Sequence, residues 1–450
     1  MAKISANIIN EKLGQVEVRG VIYPTVVVGI PLFVVFFCQT LVPSSLQPIL
    51  IALSLAFALF CSAKDRDKLG FCAGSIFLLL FYLWSMFDQN AAFGNAVTTS
   101  MFRTWLILFG CMMAAAVLLG HAKNRRWVSY FWGTLLVFGI FYSVVTIVCW
   151  LVPSFHDSIV QAFFSGSKAT ASALDWKAGF TNHYSTNGMY IAFGLIACVP
   201  MLAERKHPAF LRYAIVVIIM MALLLTTKRA HLVFGVASAG FALILFGSRK
   251  KLSTGLKVAV VALLALVALY EASLYFPDLL VVFDRFQEMS TTSEETDREL
   301  FVELCRRMWE QSPVLGSGMG TFAVYLNMTS LGAKYIAQGF SIMSAHNCFW
   351  QVLAEEGAIG LALFVGTLAL FLAGTVRLLL GLNRANGPYG AERAALAASV
   401  ALQLFFISYC GTGNPLYDMQ TYVPYLLACG VYLAVRRETL GAATDRKQFM

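Results

Sequence analysis

Long apolar runs recur along the whole 450-residue chain and are separated by short polar segments. A helix that crosses the hydrocarbon core of a bilayer, about 30 Å thick, needs about 20 apolar residues. By this criterion the pattern predicts twelve spanning helices, at 20–38, 46–63, 69–87, 101–120, 127–152, 183–203, 211–227, 231–247, 255–276, 348–376, 394–411 and 418–435. We therefore predict an all-α polytopic membrane protein in which residues 1–450 form a single transmembrane helical bundle.

The composition supports a membrane protein and gives an orientation. Hydrophobic residues make up 59% of the chain and charged residues only 13%, about half the charged fraction of a soluble domain. Of the 33 Lys and Arg residues, 23 fall in the segments that share one side with the two termini. The positive-inside rule makes that side cytoplasmic, so both termini are predicted to be cytoplasmic. Because these residues flank spans, they indicate contact with membrane lipids and no nucleic-acid partner.

One outer connection, residues 277–347 between the ninth and tenth predicted spans, is far longer than an ordinary loop and is therefore a candidate for function. Within it, residues 296–311 have the pattern of an amphipathic helix with Thr296 as N-cap. The predicted apolar face consists of Leu300, Leu304 and Met308.

Ionisable residues near the spans gather at one level, the outer ends of the predicted helices, while the middle of the bilayer is almost free of charge. The residues at this level are Arg103, Lys228, Arg229, Glu271, His346, Glu355 and Glu356. Charges at membrane depth are costly and mark functional sites, and a transporter should carry them part-way across. The pattern instead favours binding or chemistry at the outer headgroup level.

The Lys228-Arg229 pair is predicted to lie below the outer surface. Only 36 residues separate Arg212 from Arg249, and both of these flank the cytoplasmic side. At 1.5 Å per residue, each of the two helices between them reaches at most about 27 Å, which is short of the full core. Recessed cations must face a polar cavity or an anionic partner. The alternative is that both side chains extend to lipid phosphates.

His346 enters the tenth span at the end of the long loop. It is either a polar helix start or a general base, because the pKa of histidine lies near neutrality. In a continuous helix Glu355 would lie on the opposite face, so it could not orient His346. Arg298 lies at the start of the loop helix among acidic residues. From composition alone, the simplest interpretation is that it forms an exposed surface ion pair with one of them.

Three segments together resemble the O-antigen ligase and O-antigen polymerase superfamily over roughly residues 180–365. His346-Asn347-x-Phe349-x5-Glu355-x-Gly357-x2-Gly360 is similar to its signature, and Thr226-x-Lys228-Arg229-Ala230 is similar to its Thr-x-Ser-Arg-Gly/Ala turn. Arg298, followed by Trp309 and Pro313-x-x-Gly316-x-Gly318-x-Gly320-x-Phe322, resembles its loop helix and glycine turn. Lys228 replaces the usual small residue, so the pocket beside Arg229 can differ from that of the family.

The resemblance implies a GT-C-like membrane glycosyltransferase in the bacterial cytoplasmic (inner) membrane, with its active site facing the periplasm. It implies transfer of a polysaccharide from undecaprenyl pyrophosphate to lipid A–core, with inversion and without a metal ion. Arg229 and Arg298 would hold the pyrophosphate, and His346 would take the proton of the acceptor hydroxyl. The further substrate-binding candidates are Lys228, Arg103, Asn347, Glu355 and His183.

Two other interpretations stay open at this point. A polymerase of the same superfamily differs only in its acceptor, and a lipid-linked-glycan transporter fits the twelve spans but not the charge-free midplane. The ten cysteines contain no Cys-x-x-Cys pair. We predict neither a metal site nor a cofactor.

Overall fold

The computed structural model describes residues 22–64, 72–87, 126–164, 175–204, 207–247, 293–337, 343–385 and 389–448. Within these ranges the chain is helical and contains no strand. The main helices are α1 (Ile22–Phe37), α2 (Leu46–Lys64), α3 (Ala73–Phe87), α4 (Arg126–Leu151), α5 (Tyr184–Glu204), α6 (Ala209–Leu225), α7 (Arg229–Phe246), α8 (Ser293–Gln311), α9 (Thr321–Asn327), α10 (Ser330–Ala337), α11 (Cys348–Arg384), α12 (Gly390–Cys410) and α13 (Met419–Gln448). Short helical turns lie between some of them.

The predicted all-α membrane class agrees with this architecture. Five helices, α4, α5, α7, α11 and α12, are long and apolar enough to cross a membrane, and α1, α2, α3 and α6 are shorter apolar helices. A helix overlaps every predicted span that lies within the described residues. The predicted spans 101–120 and 255–276 lie outside them. The total of twelve, the side of the termini and the periplasmic position of the loop stay predictions.

Helices α5 and α12 form the centre of the bundle. Most of their apolar length is buried, 78% and 72%, against 33% for α4 and α11, which expose apolar side chains outward. Small residues allow the closest helix approach: a Cβ added at Gly139 of α4 would lie 2.2 Å from the Cα of Gly194 in α5. Close approach of backbones at small residues is typical of membrane helix pairs. The central position of α5 brings its first turn next to α7 and α12.

The loop helix α8 packs in a small core of its own, and two details of its prediction are wrong. The helix begins at Ser293, before the predicted N-cap Thr296. Leu300, assigned to the apolar face, is 49% exposed, whereas Phe301 is buried. The buried face of α8 includes Phe301 instead of Leu300 because the Phe301 ring packs against the ring of Phe322 in this core. Its buried members are Phe301, Cys305, Met308, Phe322, Leu326, Ala345 and Ala354.

Candidate active site

The turn between α6 and α7 is packed inside the protein, while its depth below the membrane surface stays a prediction. Helix α6 ends at Leu225 and α7 begins at Arg229. Thr226 and Thr227 are buried, and Lys228 and Arg229 are half-buried. The Thr226 hydroxyl caps the end of α6 by donating to the Leu223 carbonyl at 2.7 Å. The side chains of Lys228 and Arg229 therefore extend from a turn whose backbone is buried.

Gly188 lets the backbone of α5 approach this turn. A Cβ added at Gly188 would lie 3.0 Å from Thr226 Oγ1, 3.2 Å from Lys228 Cβ and 3.3 Å from His231 Nδ1. A larger residue would push α5 away from the start of α7. The first turn of α5 and the Lys228-Arg229 turn thus belong to one site.

His183, Tyr184 and Lys228 form a stack at this junction. The Lys228 ammonium lies 4.1 Å from the centroid of the Tyr184 ring, within cation–π distance. The His183 ring stacks on the same tyrosine at 4.5 Å. His183 Nδ1 accepts a hydrogen bond from the Ser185 backbone N–H at 3.0 Å, so a neutral ring carries its proton on Nε2. His183 is therefore set up as a hydrogen-bond donor and not as a base.

Burial, followed by the charges of Lys228 and His346, lowers the pKa of His183 to about 4. The ring is consequently neutral near pH 7. The charge of His346 acts on His183 although 162 residues separate the two in the sequence.

Backbone strain is concentrated in this site. In the part of the chain that the structure describes, the two non-glycine residues with positive φ are Thr227, at 57°, and His346, at 54°. The left-handed region costs an L-residue about 1–2 kcal/mol and is rare for a β-branched residue. Such strain persists only where the surroundings enforce it, and it is common at functional sites.

His346 is held in this conformation from both sides. On one side, the Ala345 backbone N–H donates to Gln351 Oε1 at 2.9 Å. On the other, Asn347 is the N-cap of α11, and its side-chain oxygen accepts from the Trp350 N–H at 3.2 Å. The His346 side chain between them is exposed, with its ring 6.0 Å from that of Phe301. The predicted base is thus accessible, on a fixed backbone beside the loop helix.

Arg298 lies on α8 with an exposed side chain, and its charge acts electrostatically on Tyr409 at the end of α12. Among the described side chains, the ion pairs of α8 involve its other charges. Glu303 pairs with Arg306 at 2.8 Å and with Arg307 at 2.9 Å, and Asp297 lies 3.9 Å from Lys334. The surface ion pair that composition suggested for Arg298 involves acidic side chains that the structure only partly describes, so that alternative stays open.

Helix α11 is interrupted near its outer end, and the loop fills the interruption. Gly357 has φ 66° and ψ −169° within the helix. We call residues 313–318 together with residues 354–358 the glycine clasp. Its backbone hydrogen bonds run from Ser317 N to Ala354 O at 3.1 Å, from Gly318 N to Glu355 O at 2.7 Å and from Ala358 N to Pro313 O at 3.0 Å. The loop thus satisfies peptide groups that the break leaves without helical partners.

Steric contact explains why both segments of the glycine clasp carry a glycine. A Cβ added at Gly357 would lie 2.3 Å from Val314 O, and one added at Gly316 would lie 2.3 Å from Glu355 O. Both glycines also have positive φ. No other residue fits without moving backbone, so the glycines of two sequence motifs meet in one contact.

Glu355 is the polar centre of this junction. It is completely buried, and its carboxylate accepts hydrogen bonds from Phe322 N at 3.1 Å, Gln351 Nε2 at 3.1 Å and Tyr417 OH at 2.7 Å. These donors come from α9, α11 and the segment before α13. Its oxygens are thus used by the protein itself, which gives Glu355 a positioning role beneath His346.

The structure brings most of the predicted site residues together. His183 and Lys228 lie together on Tyr184 where α5 meets α7, Arg229 begins α7, and the charge of His346 acts on His183. The charge of Arg298 acts on Tyr409 at the end of α12. Asn347 and Glu355 support the His346 segment from within. Arg103 lies outside the described residues.

Tyr184, His231 and Tyr409 also lie at this point and were not predicted. His231 is buried, and its ring lies 4.9 Å from that of Tyr409. Aromatic residues are common at both ends of membrane helices, so nothing in the sequence distinguishes these two tyrosines from interfacial ones. Among the described residues, no group of three or more His, Cys, Asp or Glu side chains is arranged to hold a metal ion.

The family model for O-antigen ligase matches residues 214–365, from α6 into α11. The match contains the cationic turn, the loop helix, the glycine clasp and His346. It confirms the resemblance seen in the sequence: residues 214–365 are similar to the O-antigen ligase family, and that superfamily consists of membrane glycosyltransferase-type enzymes. A search of curated proteins finds no match.

Replacing Gly357 with Ala is expected to open the glycine clasp. The added Cβ cannot avoid Val314 O, and the positive φ is unfavourable for alanine. The backbone amides of Ser317 and Gly318 should then exchange with deuterium at least about tenfold faster, as measured by mass spectrometry, since they lose their acceptors in α11. The transfer activity should fall as the protection of these amides is lost.

Gly381→Ala is the matched control for this variant, because Gly381 lies in the same helix with no atom within 4 Å of an added Cβ. It should leave the exchange rates unchanged. Unchanged protection of Ser317 and Gly318 in Gly357→Ala would show that the clasp does not hold the loop.

The lowered pKa of His183 predicts a pH dependence of stability. Its folded pKa of about 4 lies below its usual value of 6.5, so the unfolded chain binds more protons between these values. Stability from this residue is therefore full above pH 6.5 and is lost as the pH falls toward 4. The melting temperature of His183→Asn should fall less over this range than that of the wild type. Parallel melting curves for the two proteins would contradict the assignment.

Proposed function

We propose that the protein is an O-antigen ligase that transfers a polysaccharide from undecaprenyl pyrophosphate to lipid A–core at the periplasmic face of the bacterial inner membrane. The observation that carries the proposal is that the strained His346 and the half-buried Lys228, both within the matched domain, act electrostatically on the same residue, His183. A proton acceptor and a fixed cluster of cations are what transfer from a pyrophosphate donor requires.

The cations bind the donor in this proposal. Guanidinium groups match phosphate oxygens with two parallel hydrogen bonds, so Arg229 and Arg298 hold the pyrophosphate from opposite sides. Lys228 adds a third positive charge, and its cation–π contact with Tyr184 aligns it at the junction. His183, neutral with its proton on Nε2, donates to a phosphate oxygen. This charge stabilises the leaving pyrophosphate without requiring a metal ion.

His346 activates the acceptor. Its imidazole takes the proton from a hydroxyl of the acceptor glycan as the hydroxyl oxygen attacks the anomeric carbon of the donor sugar. The bond between that carbon and the pyrophosphate oxygen breaks, and both electrons leave with the undecaprenyl pyrophosphate. Attack opposite to the leaving group inverts the anomeric configuration.

The test uses the purified full-length chain with a lipid-linked glycan and two separate acceptors. Product on lipid A–core alone supports the ligase. Growth of chains on a second lipid-linked glycan supports a polymerase of the same superfamily and would contradict the proposed acceptor. Neither product, from protein that binds the donor, would refute transfer. The anomeric configuration of the new linkage, determined by NMR, tests inversion.

A further inference from the structure

Three consecutive residues of the loop, Pro313, Val314 and Leu315, are apolar and exposed. Val314 is 54% exposed and Leu315 is 53% exposed. A run of three exposed apolar residues is unfavourable in a segment that faces water, so such a run indicates a contact with an apolar partner. Because the backbone of these residues belongs to the glycine clasp, the run has a fixed position relative to α11.

This apolar run continues the exposed face of helix α11. The Ala358 N–H donates to the Pro313 carbonyl at 3.0 Å, and the Ile359 N–H donates to the Val314 carbonyl at 3.4 Å. Ala358 and Ile359 are exposed and apolar, and so are the exposed residues of the next three turns, Ala362, Val365 and Ala369. Helix α11 is long and apolar enough to cross a membrane. The loop therefore extends a helix face that contacts lipid wherever α11 crosses the bilayer.

The length of α11 sets the depth of this run. Residues 358–376 contain no charged side chain, and the exposed Arg377 follows them. At 1.5 Å per residue this stretch is about 28 Å long, close to the hydrocarbon core of about 30 Å. A helix that crosses with Arg377 at one boundary of the core therefore has Ala358 at the other. Pro313 and Val314, which are bonded to this end of the helix, lie at the same level.

Two tryptophans lie at this level as well. The indole N–H of Trp84, in α3, donates to the Glu356 carbonyl at 3.0 Å, and that of Trp309, in α8, donates to the Pro313 carbonyl at 3.0 Å. Both rings are half-buried. Tryptophan is enriched where a bilayer meets water, because its ring is apolar and its N–H is polar. The two indoles thus agree with the boundary that the length of α11 gives.

We propose that residues 313–315 are embedded in the lipid leaflet at this end of α11 and anchor the loop to the membrane. The side chains of Val314 and Leu315 enter the edge of the hydrocarbon core, and the indoles of Trp84 and Trp309 flank them at the head groups. The partner is the lipid surface, because the run is apolar and continuous with the exposed face of α11. The bilayer thereby fixes the depth of the loop at the glycine clasp.

Collision measurements on a spin label test this proposal. The full chain carries the label at Leu315→Cys, in nanodiscs of phosphatidylethanolamine and phosphatidylglycerol, and the signal of the identically treated wild type is subtracted. Arg307→Cys is the control, since Arg307 is 68% exposed on the charged face of α8. Oxygen dissolves in hydrocarbon and a polar nickel chelate is excluded from it, so the ratio of oxygen to nickel collisions should be at least about tenfold higher at position 315 than at position 307.

Two other outcomes would overturn the proposal. Frequent nickel collisions at Leu315→Cys, equal to those at Arg307→Cys, would show that the run faces water. Few collisions with either reagent would show that protein covers the run, such as a second copy of this chain.

Leu315→Gln gives a second, independent arm. An amide side chain is driven out of hydrocarbon and pulls on the glycine clasp, so the backbone amides of Ser317 and Gly318 should exchange with deuterium at least about tenfold faster in nanodiscs. Leu300→Gln, at a similarly exposed leucine of the same loop, should leave this exchange unchanged. Unchanged exchange in Leu315→Gln would contradict the anchor. Neither measurement uses transfer activity, so both are independent of the proposed function.

Discussion

His346→Asn is expected to lower the rate of glycan transfer by about a thousandfold while the protein folds normally. A positioned general base contributes about 10²–10⁴-fold, and asparagine has no group that accepts the proton of a hydroxyl. Asparagine tolerates the left-handed backbone better than most residues, so the φ of 54° at this position is kept. The measurement is the rate of product formation at saturating donor and acceptor, with the melting temperature taken on the same sample.

His346→Gly separates chemistry from strain. Glycine adopts positive φ at no steric cost, so the free energy of unfolding of this variant should exceed that of the wild type by about 1 kcal/mol. Its melting temperature should be correspondingly higher. Its transfer rate should be as low as that of His346→Asn. Wild-type rates in either variant would remove His346 as the base. A stability gain without loss of activity would mean that the strain has no catalytic purpose.

The second large effect is expected at Arg298. Replacing it with Ala should lower kcat/KM for the lipid-linked donor by about a hundredfold, because hydrogen bonds to charged groups contribute about 1.5–3 kcal/mol. Arg229→Ala should act on the same parameter. The measurement is the dependence of the initial rate on donor concentration at fixed acceptor, repeated with the two roles exchanged.

Arg307→Ala is the control for Arg298, on the same helix and with the same change of charge. Arg307 is 68% exposed and pairs with Glu303 at 2.9 Å, so its loss should change kcat/KM by no more than about twofold. Equal effects at the two positions would indicate a general charge effect of the loop. An effect of Arg298→Ala on acceptor use alone would refute its place at the pyrophosphate.

The sequence predicted those features that depend on local pattern and on length. The apolar helices within the described residues followed from runs of apolar residues. Helix α8 was predicted within three residues of its start because its polar and apolar positions alternate with helical period. Its buried face was predicted in part: Met308 is buried and Leu304 packs against the core, whereas Phe301 is buried instead of Leu300. That choice depends on what packs against the helix.

Contacts between distant segments could not be predicted in this way. The glycine clasp joins residues about 40 positions apart through backbone groups, which leave no side-chain pattern in the sequence. The break of α11 at Gly357 belongs to the same class: a single glycine in an apolar helix does not indicate whether the helix bends. The approach of His183 to His346 follows from the packing of α5 against α7 and α12, and a motif search within either segment misses it.

The interruption of α11 has a consequence for engineering the acceptor range of this enzyme family. The Ala354 and Glu355 carbonyls accept from Ser317 and Gly318 of the loop, and the Glu355 side chain accepts from Phe322 N, while both residues are covalently continuous with the apolar remainder of the helix. A chimaera that exchanges the loop alone would place foreign backbone against Ala354 and Glu355, where tenths of an ångström decide the fit. We therefore expect functional chimaeras to require residues 293–358 as one transplanted cassette, with junctions before α8 and after Ala358.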